Sequence, residues 1–279
     1  MKKIFSALLA ASFLFTSCNT ASPQNLNLLL VSTTSTQDSG LLDLLLPAFT
    51  EKTGYNVQLV AVGSGQALKL GEQGNADVIL LHSPAAEKEF MANGFGIDRR
   101  LVMHNDFVLV GPPSDPAQIR GKSPVDGFKE IFASRATFAS RSDESGTHVK
   151  ELALWKKAGL NPAGEDWYLE TGQGQGATLS IASEKEGYAI TDRGTFLAYK
   201  SNVDLEILVE GDPFLLNVYH VITVNPEKWS KVNLEGARAF ADFVTSLEGQ
   251  NIIGEFGLEQ YGQPLFFPDA GKTDAELGL

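Results

Sequence analysis

Three short runs combine hydroxyls, glycine and a single arginine in the way an oxyanion site requires. The densest is Ser140-Arg141-Ser142-Asp143-Glu144-Ser145-Gly146-Thr147, which follows an apolar stretch at 137–139 and opens a helical one. Arg141 supplies a fixed fork of cationic N–H donors that suits a tetrahedral oxyanion. Ser145, Gly146 and Thr147 add two hydroxyls and the free N–H groups of a helix start, where the dipole also favours negative charge. A local Arg141–Asp143 pair can orient the guanidinium, and an ion-paired capping segment is the plainer alternative. A second run, Thr33-Thr34-Ser35-Thr36, follows a buried strand, and its hydroxyls either cap a helix or donate to a ligand. A third, Gly63-Ser64-Gly65, either lets the backbone approach a ligand closely or is a simple turn.

The elements that must position these runs alternate strand and helix. Residues 27–31 form a short continuous apolar run, the mark of a strand buried on both faces. A helix at 41–50 follows, interrupted by Pro47 and stopped at Gly54. A strand at 56–62, the glycine turn, a helix at 66–73, a strand at 77–81 and a helix at 84–93 complete a βαβαβα order. That order implies a parallel sheet with right-handed crossovers. A second alternation runs through helix 125–135, strand 137–139, helix 145–158, strand 167–171, helix 177–184 and strand 188–191. The stretches 107–111 and 218–224, the latter after the acidic loop 210–213, read as crossings between lobes, with terminal helices near 234–247 and 250–256. The fold class is therefore α/β, with two Rossmann-like lobes joined by two hinge strands. Lobe 1 comprises 26–110 with 214–279, and lobe 2 comprises 111–213. In such sheets ligands bind beyond the carboxyl ends of the strands, where all three runs fall. Two crossing strands also lead us to expect closure by hinge bending.

The first eighteen residues read as a sorting signal. Lys2 and Lys3 precede an apolar run at 4–15 and then Thr16-Ser17-Cys18, the layout of a secretory leader and too short for a bilayer span. Cys18, the one cysteine of the 279 residues, falls at the break. This resembles a bacterial lipoprotein signal, in which the cysteine is lipidated and becomes the new N-terminus, although Phe15 stands where leucine is favoured. A plain secretory signal is the other reading. A polar tether at 19–25 follows, so the anchored chain is expected in the periplasm or at the outer face of the cytoplasmic membrane. A single cysteine excludes a disulfide framework and cysteine-based metal clusters, and the four histidines stand at 82, 104, 148 and 220, none at ligand spacing. No metal and no cofactor are expected. A net charge of −12, deeper once the leader's two lysines are gone, argues against nucleic acid as a partner.

Together the three runs resemble the type II periplasmic binding proteins for tetrahedral oxyanions. The resemblance is closer still to the tungstate-binding TupA-type family of ABC transporters. It rests on TTSTQDSGLL at 33–42, VGSGQ at 62–66, NADV at 75–78, NDFV at 105–108, ETGQGQGAT at 170–178 and TDRGT at 191–195. EGDP at 210–213 and PLFFP at 264–268 extend it over essentially the whole mature chain. The resemblance implies a monomeric, extracytoplasmic solute-binding lipoprotein that captures tungstate or molybdate between its lobes and delivers it to an ABC permease, without chemistry. Carried over position by position, it puts Thr34, Ser35, Ser64, Arg141, Ser145, Gly146 and Thr147 on the ligand. Ser32 departs from a first threonine, and Ser142 from the glycine that follows the arginine in the family. Both anions are tetrahedral dianions bearing acceptor oxygens, so a buried site must offer donors, and a facing carboxylate would be costly. Helix ends must then make a local positive potential inside an acidic envelope.

Phosphate is the competing ligand, because Arg-x-Asp-x-Ser-Gly-Thr also resembles the motif of phosphate-binding proteins. The rival from another class is an enzyme on the same scaffold, acting on a phosphorylated or carboxylated substrate. No serine has a histidine and acid partner recognisable in sequence, and Gly63-Ser64-Gly65 is not a nucleophile elbow. Gly172, Gly174 and Gly176 miss the dinucleotide-binding spacing and read as a turn into a helix. Asp192 and Arg193 are expected to brace their loop by ion pairing, His148 to be structural, and Trp155 and Trp167 to pack the second lobe.

Overall fold

A computed structural model describes residues 25–143 and 145–278. The leader, Cys18 and the tether up to residue 24 lie outside the described residues. The chain opens with β1 (Asn27–Thr33), whose Leu28, Leu30 and Val31 are fully buried, and continues into the five-residue helix α1 (Thr34–Asp38). Then follow α2 (Leu42–Thr53), β2 (Asn56–Val62), α3 (Ser64–Glu72), β3 (Val78–Leu81) and α4 (Pro84–Ala92). Helix α2 continues through Pro47 instead of being interrupted there, and ends at Gly54 in the left-handed region (φ 79°). Proline in that early turn removes the bond to the Asp43 carbonyl, while burial of Leu42, Leu45 and Phe49 holds the helix down. The Phe49 ring meets Phe240 edge-on at 5.3 Å and Tyr55 stacked at 5.9 Å.

Strand β4 (Gly96–Gly111) then runs sixteen residues into the second lobe. That lobe contains α5 (Pro124–Ser134), β5 (Phe138–Ser140), α6 (Gly146–Ala158), β6 (Tyr168–Glu170), α7 (Gln175–Glu184), β7 (Ala189–Asp192), α8 (Arg193–Tyr199) and β8 (Glu206–Val209). The chain returns through β9 (Leu216–Val224) and finishes with α9 (Leu234–Val244), α10 (Leu247–Glu255), α11 (Leu258–Tyr261) and β10 (Phe267–Pro268). Phe128, Phe138, Trp155 and Trp167 pack the second lobe's core, with Trp155 edge-on to both Phe128 and Phe138 and tilted against Trp167.

The first lobe's sheet is mixed. β1 pairs in parallel with β2 and β3, as expected of βαβ units, but β9 is antiparallel to both β3 and β4. The order β10-β4-β9-β3-β1-β2 results. β4 belongs to both lobes: from Gly96 to Asp106 it pairs with β9, and from Phe107 to Gly111 with β7 and β8. In the second lobe β5 is parallel to β6 and bridges in parallel to Tyr188, the residue before β7. Among the described residues no helix is long and apolar enough to cross a membrane.

Candidate functional site

The carboxyl ends of β1, β2 and β3 lie side by side, since Thr33 is in register with Val62 and Ser32 with Leu80. This brings the 33–36 and 63–65 runs to one sheet edge. Thr33 caps α1: its hydroxyl accepts from the Thr36 N–H at 3.2 Å and sits 2.6 Å from the Thr36 hydroxyl. Thr33 and Thr36 are thus buried and satisfy one another, while Thr34 and Ser35 are exposed. Ser32 is turned into the sheet, donating to the Leu80 carbonyl at 2.8 Å. Ser64 is half-buried at the first position of α3, with Gly63 as the cap, so the run expected as a turn is already the start of the helix.

In the second lobe the 140–147 run connects β5 to α6. Ser145 caps α6, its hydroxyl accepting from the His148 N–H at 3.4 Å, with Gly146 the first residue of the helix and Thr147 buried. Arg141 donates from Nε to Asp143 at 3.0 Å and also from Nη2, and Nη1 reaches the Gln175 carbonyl oxygen at 3.5 Å. Gln175 in turn donates to the Ile190 carbonyl at 3.0 Å, which fixes the far side of the guanidinium to the sheet. Burial pushes the Asp143 carboxyl up, but the donors from Ser145 and Arg141 outweigh it and hold the group below its ordinary value. Ser142 adopts φ 47°, the left-handed region where glycine is at ease. There its hydroxyl donates to Glu170 at 3.2 Å, which accounts for a serine at a position of glycine geometry. Beneath the loop, buried Glu151 accepts from Ser140, Trp155 and Tyr168.

The two lobes meet at His82, directly after β3. Its Nε2 lies 3.2 Å from the Thr33 hydroxyl and 3.3 Å from that of Ser35. A Cβ on Gly146 would stand 3.8 Å from its Cε1. The ring also leans on Tyr219 at 4.7 Å between centroids. Burial lowers the His82 pKa below its ordinary value, partly opposed by Asn217, Glu87 and Asp192. Hydroxyls of the first lobe and the N-terminus of α6 therefore face each other across one imidazole, a residue absent from the sequence-derived set.

Behind the cleft the crossings are tied together. Arg193 makes a bidentate pair with Asp106 on β4, at 2.8 and 2.6 Å, and also reaches Glu210 on the return crossing at 2.6 Å. The expected bracing by ion pairing thus runs from Arg193 to two distant carboxylates. Asp192 instead caps α8, accepting from the Thr195 N–H at 2.8 Å. Lys150 on α6 donates to the carbonyls of Phe214 and Leu216 at 2.9 and 3.2 Å, and burial lowers its pKa to about 8. Of the glycine run, Gly172 takes φ 61° and Gly174 caps α7, so the turn into a helix is as expected.

The class of protein is set by this two-lobed architecture: residues 19–248 match the family model of the PBP superfamily domain. The chain is 51% identical over 249 residues to the tungstate-binding protein TupA of Peptoclostridium acidaminophilum, covering 88% of this chain and 87% of that protein. It is 45% identical over 240 residues to the tungstate-binding protein TupA of Campylobacter jejuni, covering 85% of this chain and 88% of that one. Among solved structures, the tungstate-binding protein TupA from Desulfovibrio alaskensis superposes with a TM-score of 0.83 at 45% identity, covering 88% of this chain and 99% of that chain. On these matches the chain belongs to the PBP superfamily and, within it, to the TupA family of tungstate-binding proteins.

Proposed function

We propose that this chain captures tungstate or molybdate in the interlobe cleft and delivers it to the permease of an ABC transporter, performing no chemistry. The observation that carries the reading is the convergence of first-lobe hydroxyls and the α6 N-terminus on the two sides of His82. Thr34, Ser35, Ser64, Ser145, Gly146 and Thr147 supply neutral donors there, and Arg141 supplies the one cation. For the guanidinium to reach the anion, its pairing with Asp143 must loosen or be shared. The lobes, 26–110 with 214–279 and 111–213, close on the ligand by bending at the crossings near Asp106 and Glu210. Lipidated Cys18 tethers a monomer at the outer face of the cytoplasmic membrane or in the periplasm.

Calorimetric titration with tungstate, molybdate, phosphate and sulfate in turn tests the ligand. Tight binding of tungstate or molybdate with phosphate silent is expected, whereas tight binding of phosphate alone, or turnover of a phosphate ester, overturns the reading. Arg141→Ala is expected to weaken binding by about 2–4 kcal/mol, the cost of losing a desolvated charged partner. Undiminished affinity in that variant would remove the arginine from the site.

A further inference from the structure

Of the groups that meet in the cleft, His82 is the one whose chemistry differs from the rest: it can carry a donor, an acceptor or a full charge. Its Nε2 lies within hydrogen-bond reach of the Thr33 and Ser35 hydroxyls. The Thr33 hydroxyl is engaged with the Thr36 N–H and hydroxyl, so it is a fixed point for Nε2 and not a competitor for a ligand. Ser35 is exposed, and its hydroxyl lies 3.1 Å from that of Thr33 and 3.3 Å from Nε2, contacts that an entering anion would replace. Tyr219 leans on the ring at 4.7 Å between centroids, and a Cβ added to Gly146 would stand 3.8 Å from Cε1, so the imidazole edge lies beside the start of α6.

We propose that His82 is a further oxyanion-contacting residue: its imidazole N–H donates to the captured dianion between Ser35 and Gly146, and the complex takes up one proton from solvent on the ring. This rests on the oxyanion-binding reading above. The charged groups around the ring are already committed. Glu87 accepts from the Ser83 N–H at 2.7 Å and pairs with Arg99 at 2.9 Å and His220 at 2.8 Å. Asp192 serves the Thr195 N–H and hydroxyl at 2.8 and 2.7 Å. From β9 come Asn217, which hydrogen-bonds the ring and also donates to the Asn105 side chain at 2.8 Å, and Tyr219. On the loop entering α6, Arg141 and Asp143 are paired with each other. Burial disfavours the charged ring, and two negative charges at contact distance would oppose that effect.

The consequence is a linkage of capture to pH. Between the pKa of the free ring and that of the ring in the complex, binding consumes a proton, so affinity falls as pH rises, by at most about tenfold per pH unit. Two measurements on the whole mature chain test this. Calorimetry with sodium tungstate at about pH 7.5, in two buffers of different protonation enthalpy, reads the proton count, and titrations between about pH 6.5 and 8.5 read the slope. The wild type is expected to take up between a fraction and one proton and to lose affinity with pH. His82→Gln, which keeps an N–H donor but cannot be charged, is expected to show neither effect. The ring resonances of His82, followed by NMR with and without tungstate, are expected to report a higher pKa in the complex. Equal proton uptake in wild type and His82→Gln, or an unmoved His82 pKa on loading, overturns the proposal while tungstate binding stands. If tungstate fails to bind but molybdate or phosphate does, the ligand assignment falls and the same proton readout still judges His82. Binding of none of the three overturns both.

Discussion

Glu151→Gln probes how the floor of the second-lobe loop is held. The carboxyl is 1% exposed and accepts from Tyr168 Oη at 2.7 Å, Ser140 Oγ at 2.7 Å and Trp155 Nε1 at 3.1 Å. Burial pushes its pKa up to about 7 against those three donors, and Glu170 adds to the rise. In the unfolded chain the same group titrates near 4.5. Below that value both states are protonated and the carboxyl carries no penalty. Between about 4.5 and 7 the folded state keeps a proton that the unfolded state has released, so stability is lost with rising pH, by at most ~1.4 kcal/mol per unit. Over the whole interval the loss is about 3 kcal/mol, complete above the folded pKa. Glutamine keeps an oxygen for Tyr168 and Trp155, turns its amide toward the Ser140 oxygen, and has no charge to bury. Allowing about 1 kcal/mol for the weaker neutral acceptor, the variant should exceed the wild type by roughly 1–2 kcal/mol at pH 8. That advantage should disappear near pH 4.5, the unfolded value. Urea unfolding at a series of pH values measures both arms. A variant that trails the wild type by the same margin at every pH would refute the reasoning, because the Glu151 charge would then carry no burial cost.

Other substitutions read other parts of the structure. Arg193→Gln strands the buried Asp106 carboxylate and should cost about 3–5 kcal/mol in chemical unfolding, with most of it restored by adding Asp106→Asn; no rescue would mean the pair does not act as a unit. Ser142→Gly relieves a left-handed serine and should leave Tm unchanged or raised by the equivalent of about 1 kcal/mol; a clear fall would show that the bond to Glu170 outweighs the backbone strain. Gly249→Ala gains ~1 kcal/mol of helix propensity, yet its methyl would press on the Phe243 carbonyl and lie 3.0 Å from Val244 Cα. A net loss of about 1–3 kcal/mol is expected in thermal denaturation, and a stabilised variant would contradict the close approach of α9 and α10.

The elements legible in the sequence were those with their own apolar signature. The runs in β1, β2 and β3 show their burial directly, and they set the edge on which Thr33 and Ser64 stand. The first half of β4 does not, because Asp98, Arg99, Arg100 and His104 break its alternation. Asp98 pairs locally with Arg100 and Arg99 with Glu87, but further partners lie far along the chain: Arg99 reaches Asp274, Arg100 reaches Asp242, and His104 reaches Asp269. The antiparallel entry of β9 into the first sheet is equally non-local, so βαβ order alone suggested parallel pairing throughout. Helix α1 has five residues and no apolar periodicity, and it is held by the Thr33 cap. Arg193 was legible as a pairing residue but not its partners, since Asp106 lies 87 positions away and tertiary folding alone brings it near. His82 did have a signal: it stands immediately after the buried strand β3, the kind of position that singled out the other candidate residues, and its isolation from other histidines masked it.

A single backbone ribbon is common property of both sheets. Since β4 exchanges β9 for β7 and β8 at Asp106–Phe107, neither lobe can swing independently of the strand that serves the other. In the proposed closure the bend would be stored there as torsion, like a leaf spring clamped at both ends, with Arg193 the rivet beside it. On that proposal the stiffness of the spring would set how much of the ligand's gross attraction is spent on shutting the cleft. The grip felt by the anion thus depends on a segment that never touches it.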